Sequence, residues 1–185
     1  MIKISCRTGE ILEVPAETLV GVNLSEANLH RALLEGLVLD GSILNGAELR
    51  NAECSRSSMK KVSAIRANLV MSEFVSANLA EAILDHSMAL AANFSSGNLT
   101  NASLVGVLLQ DADLSNCVGV GANFEGANLE GANCSGADFE AANFVGADLV
   151  DCNGLETANL RGASYDATTK WPIGFQPTVA GAVKV

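Results

Sequence analysis

Aromatic residues make up only 4% of the 185-residue chain, although 49% of it is hydrophobic. A core of large rings is excluded, and the apolar content, mostly Ala, Leu and Val, must build one from small and medium side chains. Basic residues are scarce as well, with 11 Lys and Arg against 21 Asp and Glu and a net charge of −10. That balance excludes a nucleic-acid binder working through basic patches, and a protein held to an anionic membrane by charge. No apolar run approaches the ~18 residues of a membrane-spanning helix. The opening MIKISCRTGEILEV lacks the apolar stretch expected of a secretory signal. Prolines number 3 and glycines 17, which is not a disordered composition. The five cysteines, Cys6, Cys54, Cys117, Cys134 and Cys152, are odd in number and lack close metal-ligand spacing. A reduced, cytoplasmic protein is the expectation.

What the chain does have is a repeat. Stepping by five from Leu19 to Leu149 gives 27 positions in unbroken register, of which sixteen are Leu and five are Phe. The Phe positions are Phe74, Phe94, Phe124, Phe139 and Phe144; Met59, Cys54, Cys134, Ala64, Ala89 and Gly119 complete the column. Two residues before each of these centres runs a second column, with sixteen Ala and six Ser, Gly or Cys among its 27 members. The residue just before the centre is often Asn, Asp or Glu, as in GANFEGANLEGANCSGADF.

A period of five matches neither the helical 3.6 nor the strand period of two. It fits a short extended step followed by a corner, each step pointing one large and one small residue inward. Four such steps return the chain to its starting wall, so that residue i stacks on i+20. Strand spacing then gives a rod of about 34 Å for some seven coils. Phe74 is expected to stack on Phe94, and Phe124 on Phe144.

The A(N/D)LxG pattern resembles the pentapeptide-repeat family, and the resemblance covers most of the chain, from Leu19 to beyond Leu149. It implies an all-β fold, a right-handed quadrilateral β-helix; the handedness and the four-sided section come from the resemblance. It also implies a module that binds rather than transforms. Some members of the family resemble duplex DNA in size and charge and bind DNA gyrase.

The expected organisation is an N-terminal cap over 1–18, the β-helix over 19–166, and a C-terminal cap and tail over 167–185. One extra residue breaks the register between Cys152 and Ala158, in CNGLET, and reads as a bulge or small loop near 152–157. The runs IKIS and ILEV, separated by CRTGE, are expected to cover the open end of the first coil, where an exposed edge invites aggregation. Trp171 and Phe175 are expected to plug the other end, with residues from about 178 onward frayed.

Little in the sequence points to chemistry. No P-loop, HExxH, EF-hand or nucleophile-elbow pattern is present. His30 and His86 fall at outward positions on different walls and about three coils apart, too distant to share a metal. Between Glu73 and Glu156 no acid at position i has another at i+20, which argues against a stacked calcium ladder. Cys54 and Cys134 fall on one wall four coils apart, or about 19 Å, far beyond disulfide reach. Cys117 and Cys152 fall in or near the small-residue column, which leaves Cys6 as the expected exposed thiol. No catalytic residue, cofactor or metal is expected.

Two surface features stand out instead. Outward positions on the third wall, counted from Leu19, hold Val70, Met71, Met88, Leu90 and Leu108, a candidate docking patch for a protein partner or a second copy. No Lys or Arg occurs from Ala67 to Leu160, whereas Arg50, Arg56, Lys60, Lys61 and Arg66 cluster just before. Within that stretch Glu73, Glu81, Asp85, Asp111, Asp113, Glu125, Glu130, Asp138, Glu140 and Asp148 form a candidate acidic surface. The reading that follows is a non-catalytic interaction or scaffold module with a protein partner and no direct nucleic-acid or membrane binding. An acidic, DNA-mimicking binder of gyrase or another DNA-binding protein is the alternative.

Overall fold

A computed structural model describes all 185 residues, Met1 to Val185, and contains no helix. The repeat region winds as four parallel ladders. Asn23 pairs with Ile43, Ile43 with Ser63, and so on to Ser164, with equivalent ladders starting at Asn28, Leu33 and Val38. Each rung thus joins residue i to i+20, and four pentads close one coil. We number the walls by their centres: wall 1 from Leu19, wall 2 from Leu24, wall 3 from Leu29 and wall 4 from Leu34.

The pentad around Leu129 shows why five residues are the unit. The Leu129 N–H donates to the Asp148 carbonyl on the next coil (2.7 Å), and the Gly131 N–H to Val150 (3.0 Å). The Asn133 N–H donates backward to Ala112 (2.9 Å), while the Ala132 N–H closes the corner onto Leu129 (3.0 Å). The second residue after every centre, from Gly21 to Asp151, has positive φ. A corner closed from the fourth residue to the first, with its third residue left-handed, is a type II turn. One amide per pentad is left over, that of the residue after the centre. The Glu130 N–H donates it to the Asn128 side chain (3.0 Å), and the same bond recurs from Ser95 to Asn93, Thr100 to Asn98 and Ser115 to Asp113. The frequent Asn or Asp before the centre is therefore the acceptor that completes the backbone.

Centres and small residues are buried together in one continuous core from Ile4 to Ala182. Phe74 stacks on Phe94 with centroids 5.0 Å apart, and Phe124 on Phe144 at 5.1 Å, as the i+20 register requires. Phe139, on wall 1, meets both Phe124 and Phe144 edge-on. Gly119 lies one coil below it, and a Cβ there would sit 2.8 Å from the Phe139 ring. The glycine in a column of large residues is thus the space that Phe139 fills.

Both caps form. Strands β1 (Ile2–Ser5) and β2 (Ile11–Val14) make an antiparallel hairpin. Cys6 continues antiparallel onto Ala32, with the Arg7 N–H donating to Arg31 (2.9 Å) and the Leu33 N–H to Ser5 (2.8 Å). This corrects the expectation for Cys6, which lies at the turn of the hairpin and is buried rather than exposed. At the other end Trp171 packs near Phe144, edge-on to Tyr165 and stacked on Phe175. The tail does not fray. Strand β4 (Val183–Lys184) pairs in parallel with β3 (Ser164–Tyr165), and Ala182 is buried. The register gains one residue where Asp138 pairs with Asn159, across the insertion, and a second where Asp148 pairs with Lys170. The second slip falls in the turn where Asp166 accepts from Thr168 and Thr169.

Candidate interaction surface

The axis is filled by side chains, and clefts remain at the two ends of the rod, one beside Leu12–Ala16 and one beside Pro172–Phe175. No group of three or more His, Cys, Asp or Glu is placed to hold a metal. No helix is long and apolar enough to cross a membrane. His86 is exposed and His30 half-buried, on corners of different walls. All five thiols are free and buried. Burial, with Asp113 and Asp138 nearby, pushes the Cys117 thiol up to about 12. Burial also raises the Cys54 thiol.

The apolar positions do come together. Met88 and Leu108 are consecutive rungs of the wall 3 ladder, and the Met71 N–H donates to the Leu90 carbonyl across the adjoining corner. Met71 is 52% exposed, Met88 41% and Leu108 37%, while Val70 and Leu90 are half-buried. Met88 and Leu108 occupy positions where Asn or Asp would serve a corner amide. The N–H groups of Leu90 and Gln110 accordingly donate to no protein acceptor. At these two rungs the wall gives up a backbone bond and presents a large apolar side chain outward.

The corner beyond wall 3 is also graded in charge. Arg31 and Arg50 precede the apolar stretch, and Asp111, Glu130 and Asp151 follow it, all exposed or half-buried. None of these five makes an ion pair, whereas Lys3, Arg7, Arg56, Lys60, Lys61 and Lys170 all do. Arg50 and Glu130 each lie two coils from Leu90, on opposite sides of it. Arg31 and Asp151 lie three coils from Ala91 in the same symmetrical way.

The acidic residues, by contrast, are scattered. Glu73 and Asp113 lie on wall 4, Asp138 on wall 1 and Asp148 on wall 3. Glu81 and Glu140 follow wall 1, and Asp85 and Glu125 follow wall 2; only Asp111 and Glu130 share a corner with Asp151. Several are occupied. Asp85 accepts from the Ser103 hydroxyl (2.6 Å) and the Val105 N–H (3.1 Å). Asp113, Asp138 and Asp148 accept the corner amides of Ser115, Glu140 and Val150. Glu81 pairs with Lys61, and Asp148 with Lys170.

The pentapeptide-repeat family model matches residues 19–53, 91–118 and 120–153 in 8 copies, more than half of the chain. The chain belongs to the pentapeptide-repeat family. Its four-walled solenoid is the right-handed quadrilateral β-helix of that family. Among solved structures, the pentapeptide repeat protein Rfr23 from the cyanobacterium Cyanothece 51142 is 42% identical, with a TM-score of 0.50, over 51% of this chain and 63% of its own. The chain thus spans less than two thirds of that relative's length. HetL, a pentapeptide repeat protein involved in heterocyst differentiation regulation in the cyanobacterium Nostoc sp. strain PCC 7120, aligns over 91% of this chain and 87% of its own at 21% identity and TM-score 0.55, a likeness of fold alone. QnrB1, a plasmid-mediated fluoroquinolone resistance protein, aligns over 92% of this chain and 90% of its own at 17% identity with a TM-score of 0.39, too low to carry an argument. No curated protein matches the sequence.

The apolar positions are legible along the chain, whereas the charged residues on the same corner are not. Order along the chain groups Arg50 with Arg56, Lys60, Lys61 and Arg66 as one basic cluster; Arg56, Lys60 and Lys61 pair with Glu35, Asp40 and Glu81 on neighbouring corners, while Arg50 and Arg66 make no ion pair. The signal lies in the i+20 register, which places Arg50, Val70, Leu90, Gln110 and Glu130 in one column.

Proposed function

We propose that this pentapeptide-repeat protein is a non-catalytic interaction module, acting in the cytoplasm, whose recognition surface is wall 3 and its outer corner. The observation that carries this reading is the strip running from Arg31 and Arg50, through Val70, Met71, Met88, Leu90 and Leu108, to Asp111, Glu130 and Asp151. A partner matching it is a protein with an apolar centre and opposite charge at each end. A second copy of this chain, laid antiparallel, has that chemistry. A two-fold axis near Leu90 sets Arg50 against Glu130 and Arg31 against Asp151, whereas a parallel copy sets like charge against like. The acidic, DNA-mimicking reading is not favoured, because the acids lie on all four sides and four of them serve backbone amides.

Sedimentation equilibrium tests the proposal. The wild-type chain is expected to associate as a dimer at micromolar concentration, and the double variant Met88→Glu, Leu108→Glu to stay monomeric with an unchanged circular dichroism spectrum. Equal masses for the two proteins at every concentration would reject the wall 3 strip as a self-association surface.

A further inference from the structure

Cys134 and Cys152 lie on adjacent coils with their sulfur atoms 3.2 Å apart. The approach has a local cause. Cys134 is a wall 4 centre, and the residue due to stack on it one coil later is Gly154, which has no side chain to offer. Register slips at that point, Leu155 is buried in its place, and Cys152 from the small-residue column leans into the space over Cys134. The backbone beside the pair is sparsely bonded. The amides of Gly154, Leu155 and Glu156 donate to no protein acceptor, and the segment is held by the Thr157 N–H and hydroxyl on the Gly154 carbonyl and by the Gly136 N–H on the Thr157 hydroxyl. Solvent reaches the site through a cleft between Cys152, Leu155 and Glu156 on one side and Pro172–Phe175 of the C-terminal cap on the other.

We propose that Cys134 and Cys152 are a modification site, a dithiol that closes reversibly to a disulfide when a two-electron oxidant of the peroxide class enters that cleft. Cys152, the more accessible of the two, attacks the peroxide; the O–O bond breaks, a cysteine sulfenic acid forms and one water leaves. The Cys134 sulfur then attacks the sulfenic sulfur, the S–O bond breaks and a second water leaves. Two S–H bonds are lost, one S–S bond is formed, and the two electrons reside in the reduced peroxide. The sulfurs must close from 3.2 Å to about 2.05 Å, a movement that falls beside the three unbonded amides at 154–156. The bond then ties the last regular coil of wall 4 to the segment bearing the cap. The Cys134 thiol is raised by the hydrogen bond it shares with Cys152, by burial and by the neighbouring Cys117 and Asp113.

The test treats the native full-length protein with hydrogen peroxide, quenches it, unfolds it and counts alkylated cysteines by mass spectrometry. The expected result is a fall from five alkylated cysteines to three, with the mass of two hydrogens lost and a crosslinked peptide joining Cys134 to Cys152. Dithiothreitol restores all five. Cys152→Ala removes the crosslink, and alanine suits a column built of alanine. Five alkylated cysteines after oxidation would overturn the proposal. So would a crosslink through Cys6, Cys54 or Cys117, or sulfinic acid at Cys152 without a crosslink. The wild-type count decides the matter whether or not a variant folds.

Discussion

At the scale of single residues, one amide per pentad governs the corner chemistry. Where Asn or Asp precedes the centre, the corner N–H is served; where Ser stands there, an Asp or Asn one coil below serves it, as Asp40 does for Lys60 and Asn45 for Ile65. Asn98→Ala removes the acceptor of the Thr100 N–H and is expected to cost about 1 kcal/mol, read from the midpoint of urea unfolding. Met88→Asn should do the reverse, adding up to about 1 kcal/mol while weakening association. A gain in binding with that substitution would contradict the assignment of wall 3. Corner conformation offers a second check. Ala91 sits at φ 51° on an exposed corner, so Ala91→Gly relieves left-handed strain at a smaller entropic cost, for a net gain of about 0.5–1 kcal/mol. The sequence shows that Asn recurs before the centre but not why, because a period reveals positions and not the direction of an amide. The meeting of Cys134 and Cys152 is hidden for a related reason. Stacking follows columns at i+20, whereas these sulfurs meet across columns at i+18.

At the scale of the element, the coil is almost fully legible in the sequence. A five-residue period with paired large and small inward positions has one economical geometry, and the Phe stacks follow from it. Gly119 is legible only as an exception. Its reason is Phe139 on the next coil, so Gly119→Leu should destabilise the protein by about 1–3 kcal/mol through overpacking, and Phe139→Leu should relieve part of that loss in a double-variant cycle. The C-terminal strand is not legible, because its two residues, Val183 and Lys184, stand outside the five-residue pattern. Its turn is pH-sensitive. Hydrogen bonds from Thr168, Gly146 and Thr169 hold the Asp166 carboxyl down at about 2. A depressed carboxylate contributes stability above the ordinary range near ~3.9, and that contribution is lost as pH falls toward its folded value. Trp171 fluorescence is expected to report loosening of the cap between about pH 4 and pH 2, and Asp166→Asn should flatten that transition.

At the scale of the whole molecule, the rod is a scaffold on which position along the axis is fixed by coil number. Side chains at i and i+20 are neighbours about 4.8 Å apart, so a sequence of charges along the chain becomes a sequence of charges along a wall. Net charge describes this poorly. Most of the basic residues are paired, the acids are dispersed, and the unpaired charges of one corner flank its apolar centre at matching distances. The proposed recognition surface rests on that arrangement rather than on the overall −10, which by itself describes only a charged coat. The most direct measurement is a charge-exchange cycle read by sedimentation equilibrium in low salt. Arg50→Glu and Glu130→Arg are each expected to weaken self-association at least several-fold, and the double variant to restore it, because the proposed antiparallel pair sets the two residues against each other. Additive losses in the double variant, or no effect from either change, would contradict the account.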